Sequence, residues 1–116
     1  MKSKNKFYVT TAIEYVNAEP HIGHAYQKIA ADVLARWNRL NGKDVFFLTG
    51  TDEHGKKIAQ SAEKAGIPVE EFVNKMSEKF KLAWKKLNII PDRFIRTTDK
   101  DHIKVVFQVV QKCRYQ

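Results

Sequence analysis

An apolar pattern with helical spacing runs from His24 to Leu40, between two short runs that are rich in β-branched and aromatic residues. Spacings of three and four residues predict one amphipathic helix face. The runs from Lys6 to Ile13 and from Asp44 to Thr49 predict strands, and the second is continuously apolar, as in a parallel strand covered on both faces. Strand, helix and strand in this order predict a βαβ unit with a right-handed crossover, and hence an α/β fold. The apolar helix positions are Tyr26, Ile29, Ala30, Val33, Leu34, Trp37 and Leu40.

The rest of the chain predicts more helix than strand. A second helix is expected from Lys56 to Ala65, ended by Gly66, and a third begins near Pro68. A short extended piece is expected at Phe94 to Thr97. Thr98 or Asp99 then offers a cap for a final helix to Cys113, although apolar residues at alternate positions in that stretch also fit a strand. The third helix has apolar residues at helical spacing: Val69, Phe72, Val73, Met76, Phe80, Ala83, Trp84 and Leu87.

Length and charge narrow the classes of protein. The 116 residues suit one globular domain, and no apolar run reaches the length of a membrane span or a signal peptide, so we expect a cytoplasmic protein. The single cysteine, Cys113, gives no basis for an internal disulfide or a structural zinc site. Residues 74–116 carry eleven Lys and Arg against four Asp and Glu, which fits either a nucleic-acid partner or solvated lysine-rich helix faces.

Two loops follow the predicted strands at the sheet edge where α/β proteins bind ligands. The first, from Ile13 to Gly23, has about ten residues where ~2 to 6 are usual, and it leads into the helix start with His21 and His24. These histidines fit a capping role or a phosphate site, whereas a metal site lacks a third ligand, and no glycine-rich phosphate loop of the usual kinds is present. The second loop contains Asp52, which fits a plain helix-capping turn or a partner for a ligand ammonium.

Short motifs in both loops resemble a known enzyme family. The tetrapeptide from His21 to His24 matches the HIGH signature of class I aminoacyl-tRNA synthetases, and the TGTDEHG motif from Thr49 to Gly55 resembles that of methionyl-tRNA synthetases. The segments from Phe7 to Thr11, Tyr15 to Asn17 and Phe94 to Thr98 fit the same family. The resemblance implies a Rossmann-like parallel sheet, with residues 1–116 forming the amino-terminal half of the catalytic domain and ending before the connective insertion.

The resemblance also implies methionine activation by ATP, with its Mg²⁺, and transfer to tRNA. It assigns His21 and His24 to ATP phosphates and catalysis, and Gly23 to the space for adenine. It assigns Asp52 to the methionine ammonium, Tyr15 to the thioether pocket and the backbone of Ile13 to the amino group. It implies no structural zinc within these residues, but a need for the remaining carboxyl-terminal part of the enzyme. The absence of a long apolar run, and not the resemblance, is the reason to expect no membrane contact. The alternative is a non-catalytic piece that binds ATP, methionine or tRNA with a complementary chain.

Two features depart from the family pattern or imitate it. Ala12 and Glu14 stand where many bacterial-type members carry proline and tyrosine, so no role is transferred to Glu14. The segment Lys75–Lys79 looks like the KMSKS loop of the same family, but Met76 falls on the apolar stripe of the third predicted helix. We therefore assign this segment to helix packing.

Overall fold

The computed structural model describes residues 5–114, which form four strands and four helices. The fold is α/β with a parallel sheet, as predicted. Several predicted boundaries agree closely with the structure, and both ends of α2 lie at the predicted residues. The elements are β1 (Lys6–Thr10), β2 (Glu14–Tyr15), α1 (Ile22–Leu40), β3 (Asp44–Asp52), α2 (Lys56–Ala65), α3 (Val69–Lys86), β4 (Arg93–Arg96) and α4 (Lys100–Arg114).

Strand β3 organises the sheet, because the other three strands all pair with it in parallel. β1 lies beside its first residues, β2 beside its carboxyl end and β4 beside Leu48 to Thr51. The first strand begins at Lys6 as predicted, but the prediction that it continues to Ile13 is wrong. The strand stops at Thr10, and the chain pairs again with β3 as the two-residue strand β2. The long first loop therefore contains a further piece of sheet.

Helix α3 supplies much of the core, as its apolar stripe predicts. Val73, Met76, Phe80 and Trp84 are buried in one cluster, which includes Phe47 of β3. The segment Lys75–Lys79 is helical and lies inside α3, so its assignment to helix packing is confirmed.

Helix α1 forms as predicted, but its apolar face is not the buried face. Most of the predicted apolar positions are exposed, including Tyr26 at 75%, Val33 at 58% and Trp37 at 64%. The opposite face, with small and polar residues, packs inward. Periodicity identifies an apolar face but does not say what covers it, and no described element covers this one. The buried residues of α1 are Ala25, Lys28, Ala31, Asp32, Ala35 and Asn38.

Apolar side chains are also exposed on the sheet and on α4. Phe46 of β3 is 44% exposed and stacks on Tyr8 of β1, so the expectation that β3 is covered on both faces is wrong for the described residues. The final segment is a helix and not a strand, and α4 buries none of its residues. Exposed apolar patches of this extent usually mark surfaces that bind another chain. Within residues 5–114, no helix is long and apolar enough to cross a membrane.

Candidate functional site

The carboxyl end of β3 and the short strand β2 form the floor of the candidate site. Tyr15 pairs with Asp52, and Glu14 pairs with Thr51. Because neighbouring residues of a strand point to opposite faces, Glu14 is buried towards the helices while Tyr15 is half exposed. The pairing brings together Tyr15 and Asp52, two of the three residues assigned to methionine by resemblance, and the third, Ile13, directly precedes β2.

His21 and His24 cap the start of α1 together. Nδ1 of His21 accepts a hydrogen bond from the backbone N–H of Gly23 at 3.1 Å. Nδ1 of His24 accepts one from the backbone N–H of His21 at 3.2 Å. The two rings stack with their centres 3.7 Å apart. The capping role that the sequence allows is therefore present. It uses only the Nδ1 atoms, so the Nε2 atoms of both rings take no part in capping.

The capping bonds determine which ring nitrogens carry protons. Because Nδ1 accepts in both rings, a neutral ring must hold its proton on Nε2, which then acts as a donor. The pKa of His24 lies below its usual value, chiefly because of burial, with the charges of His21 and Lys28 lowering it further and Glu14 opposing them. His24 is therefore a neutral donor at pH 7, and a donor at a helix start suits a phosphate oxygen.

Gly23 lies against the His21 ring. A Cβ added at this position would come within 3.0 Å of Cε1 and 3.1 Å of Nδ1 of His21. A larger residue would require the imidazole to shift by a few tenths of an ångström from its capping position. The glycine thus protects the geometry of the histidine pair directly.

Asp52 retains acceptor capacity for a ligand. Its Oδ1 faces the backbone N–H of His54 at 3.4 Å and the hydroxyl of Thr97 at 3.5 Å, both long for hydrogen bonds. Among the described residues it forms no ion pair, unlike its neighbour Glu53. A partly exposed carboxylate without a cation at the end of a parallel strand is suited to bind an ammonium group.

Tyr15, which pairs with Asp52, lines an open cavity. An added Cβ at Gly55, which has a φ of 133°, would come within 2.7 Å of the Tyr15 hydroxyl. The neighbouring cavity measures about 370 Å³ and is lined by Tyr15, Asn17, Lys56 and Lys57. Neither Ile13 nor Asp52 lines it. Among the residues assigned to methionine, only Tyr15 therefore lines this cavity.

The histidine pair and Asp52 are linked through β2 and do not touch within the described part of the chain. Nε2 of His24 lies 3.6 Å from Oε2 of Glu14. Glu14 adjoins Tyr15, which pairs with Asp52. Both groups of predicted residues therefore flank the same two-residue strand. No group of three or more His, Cys, Asp or Glu among the described residues is arranged to hold a metal ion.

A buried ionic network that was not predicted from the sequence lies beside the site. Glu53 is 3% exposed and accepts two hydrogen bonds from Arg96, from Nε at 2.6 Å and Nη2 at 2.8 Å. Thr51 and Thr98 also donate to it. Burial raises the pKa of Glu53, but the bonds from Arg96, Thr98 and Thr51 outweigh it, and the net pKa is lowered. Through Glu53, the TGTDEHG motif thus also links the end of β4 and the residues after it to the end of β3.

Replacing Glu53 with Gln is expected to lower the free energy of unfolding at pH 7 by about 3 kcal/mol, because it leaves Arg96 without its buried partner. The folded pKa of Glu53 is below its reference value of 4.5. Its stabilising contribution is therefore complete above that pH and is lost as the pH falls through the folded pKa. Urea unfolding should show a steeper loss of stability in acid for the wild type than for Glu53→Gln.

The exposed pair of Glu71 and Lys75 on α3 provides the matched control. Glu71→Gln should cost less than about 1 kcal/mol, as is usual for surface pairs. Equal losses for Glu71→Gln and Glu53→Gln, or parallel stability curves for the wild type and Glu53→Gln in acid, would contradict the structural role of the network.

Comparisons with known proteins agree on one family. A family model described as tRNA synthetases class I (M) matches residues 7–116. The methionine–tRNA ligase of Thermotoga maritima is 57% identical over 109 residues, which cover 94% of this chain and 17% of the relative. That of Mycobacterium tuberculosis is 58% identical over 96 residues, covering 83% of this chain and 18% of the relative.

A solved structure is similar as well. Mycobacterium tuberculosis methionyl-tRNA synthetase in complex with methionyl-adenylate aligns with a TM-score of 0.83 and 56% sequence identity, covering 84% of this chain and 19% of that chain. The chain therefore spans less than a fifth of the length of these relatives.

Proposed function

The chain belongs to the class I tRNA synthetases of the M type, and from this premise we propose that it provides part of a site that activates methionine with ATP for transfer to tRNA. In this proposal residues 1–116 belong to the amino-terminal half of the catalytic domain. The observation that carries the proposal is the junction at β2, where Glu14 contacts His24 and Tyr15 pairs with Asp52. It supports neighbouring positions for the two substrates at this strand.

His21 and His24 are proposed to bind the phosphates of ATP, with Gly23 keeping the His21 ring in position. Attack of the methionine carboxylate on the α-phosphorus needs little covalent help from a protein, so positioning and charge stabilisation provide the acceleration. Nε2–H donors at a helix start can stabilise the negative charge as it develops on the phosphate oxygens. The Mg²⁺ ion is proposed to arrive with ATP and is given no protein ligand here.

Asp52 is proposed to bind the methionine ammonium, with the carbonyl of Ile13 as a second acceptor. The Tyr15 ring is proposed to contact the thioether, a contact with a stabilisation of roughly 0.3 to 1.5 kcal/mol. The long hydrogen bonds of Asp52 support this role, because they leave its oxygens free for a stronger charged partner.

A second candidate function is non-catalytic binding that depends on a complementary chain. The exposed apolar face of α1 and the unburied helix α4 favour the need for such a chain. We propose that the covering partner is the remaining part of a full-length methionyl-tRNA synthetase, since the chain spans 17% of the Thermotoga maritima relative. We further expect the assembled protein to act on tRNA in the cytoplasm.

A chimera tests the proposed function. This chain would replace the matched segment of the Thermotoga maritima methionine–tRNA ligase, and the chimera is expected to catalyse methionine-dependent exchange of pyrophosphate with ATP. His21→Ala should slow adenylate formation by about 10²-fold or more while weakening ATP binding much less, as expected of a contact made mainly in the transition state.

His102→Ala on α4 is the matched control and should leave the exchange rate unchanged. A purely capping role for His21 predicts instead a stability loss of about 1 kcal/mol with little kinetic effect. Absence of methionine-dependent exchange in a folded chimera would refute the proposed function.

A further inference from the structure

The side chain of Lys28 is completely buried, although lysine is among the residues least often found inside proteins. Its ammonium donates to Oε1 of Glu14 and, at 2.7 Å, to the carbonyl oxygen of Ala12. Its Nζ also lies 5.8 Å from the ring centre of Trp84. A buried ion pair often stabilises no more than apolar residues of the same volume. The position of the ion pair beside the proposed site therefore says more about its role than its contribution to stability does.

The pair joins the two parts of the proposed site. Ala12 and Glu14 flank Ile13, the residue assigned to the methionine amino group. Lys28 lies four residues after His24 on α1, on the same helix face. The Lys28 side chain thus connects the methionine loop to the helix that carries the proposed phosphate-binding histidines.

The two oxygens of Glu14 have different neighbours. Oε1 accepts from Lys28, while Oε2 lies 3.6 Å from Nε2 of His24. An uncompensated carboxylate at this distance would favour a charged imidazolium and would repel an approaching phosphate. The ammonium of Lys28 offsets that charge.

Few other charges act on His24. His21 stacks on its ring, and α3 presents the apolar ring of Phe80 with the centres 5.4 Å apart. Among the described residues, the titratable groups that affect His24 are therefore His21, Glu14 and Lys28. Burial is the main cause of the lowered His24 pKa, and within the pair Glu14 raises this pKa while Lys28 lowers it. Removing either partner alone should therefore change the pKa of His24.

We propose that Glu14 and Lys28 form a positioning pair beside the Nε2 edge of His24, in which Lys28 offsets the carboxylate charge of Glu14. The buried ring can then stay neutral, and a phosphate can approach its Nε2–H group. The pair acts through His24 and does not itself touch substrate. This inference rests on the proposed role of His24 in ATP binding.

The test is a histidine titration of the 116-residue chain by NMR with ¹³C-labelled histidine. Lys28→Met should raise the pKa of His24, because it leaves Glu14 uncompensated. Glu14→Gln should lower it, because a buried ammonium remains. Each shift should be about one pH unit. The double variant Glu14→Gln/Lys28→Met should return the pKa close to the wild-type value, and the pKa of His102 on α4 should stay constant throughout.

Shifts in opposite directions that cancel in the double variant support the proposal. No shift, or shifts in the same direction, would overturn it, since packing alone does not depend on the sign of the charge removed. If both single variants fail to fold, Glu14→Asp decides, because it retains the ion pair and withdraws the carboxylate from His24. A lowered His24 pKa supports the proposal, and an unchanged one overturns it.

The titration uses no substrate. The expected pKa shifts can therefore be absent although the chimera catalyses exchange, which would overturn only the positioning pair. They can also be present although the chimera is inactive, which would overturn only the proposed function.

Discussion

The 116-residue chain on its own is expected to form methionyl-adenylate far more slowly than the chimera, by about 10⁵-fold, which corresponds to ~7 kcal/mol of positioning. The reason is structural. Tyr15 lines an open cavity that neither Ile13 nor Asp52 reaches, so the described residues leave the proposed methionine site without an opposite wall. In-line attack requires both substrates to be held in a fixed geometry, and one wall cannot do this.

We also predict that the isolated chain self-associates through the exposed apolar face of α1, because no described element covers this face. Substituting both Val33 and Trp37 with Glu should shift it towards monomer in sedimentation experiments. Lys64→Glu, which changes the charge of the exposed α2 surface by the same amount, should not. A monomeric wild-type chain that activates methionine at the rate of the chimera would contradict this prediction.

Asp52→Asn in the chimera is expected to slow methionine-dependent adenylate formation roughly a hundredfold. This loss corresponds to an increase of about 3 kcal/mol in the activation free energy. Asparagine preserves the shape of the side chain but removes the charge that is proposed to pair with the methionine ammonium. Rates measured at saturating ATP with varied methionine should show the loss.

The matched control is Asp44→Asn at the opposite end of β3. Asp44 is exposed and far along the strand from the carboxyl edge, so this change should leave the rate within about twofold. A near wild-type rate for Asp52→Asn, or equal losses for both variants, would remove Asp52 from the proposed site.

Helix α1 shows what sequence periodicity establishes and where it stops. The pattern from Tyr26 to Leu40 identified the helix, and the observed start at Ile22 differs from the expected one by two residues. It did not identify the buried side, because an apolar face can be covered by elements beyond the described residues. The real core contact of α1 uses small residues such as Ala31 and Ala35, which leave room for close packing but give a weak signal.

Motif spacing located the candidate site better than it located the supporting residues. His21, His24 and Asp52 follow strands at the sheet edge where ligands bind in α/β folds, and the structure places them around β2. Lys28, Glu53 and Arg96 were missed as supporting groups. Charged residues are ordinarily assigned to the surface, and partners far apart in the sequence carry no shared pattern.

A crystal structure of the chimera with a non-hydrolysable methionyl-adenylate analogue would show whether Asp52 and the histidine pair form one methionine-activating site. We predict that the ligand binds at the carboxyl edge of the sheet, with its ammonium on the Asp52 carboxylate and its phosphate replacement within hydrogen-bond distance of His21 or His24. A ligand bound away from β2, for example in the apolar cavity beside Trp84 and Phe94, with Asp52 and both histidines untouched, would contradict it.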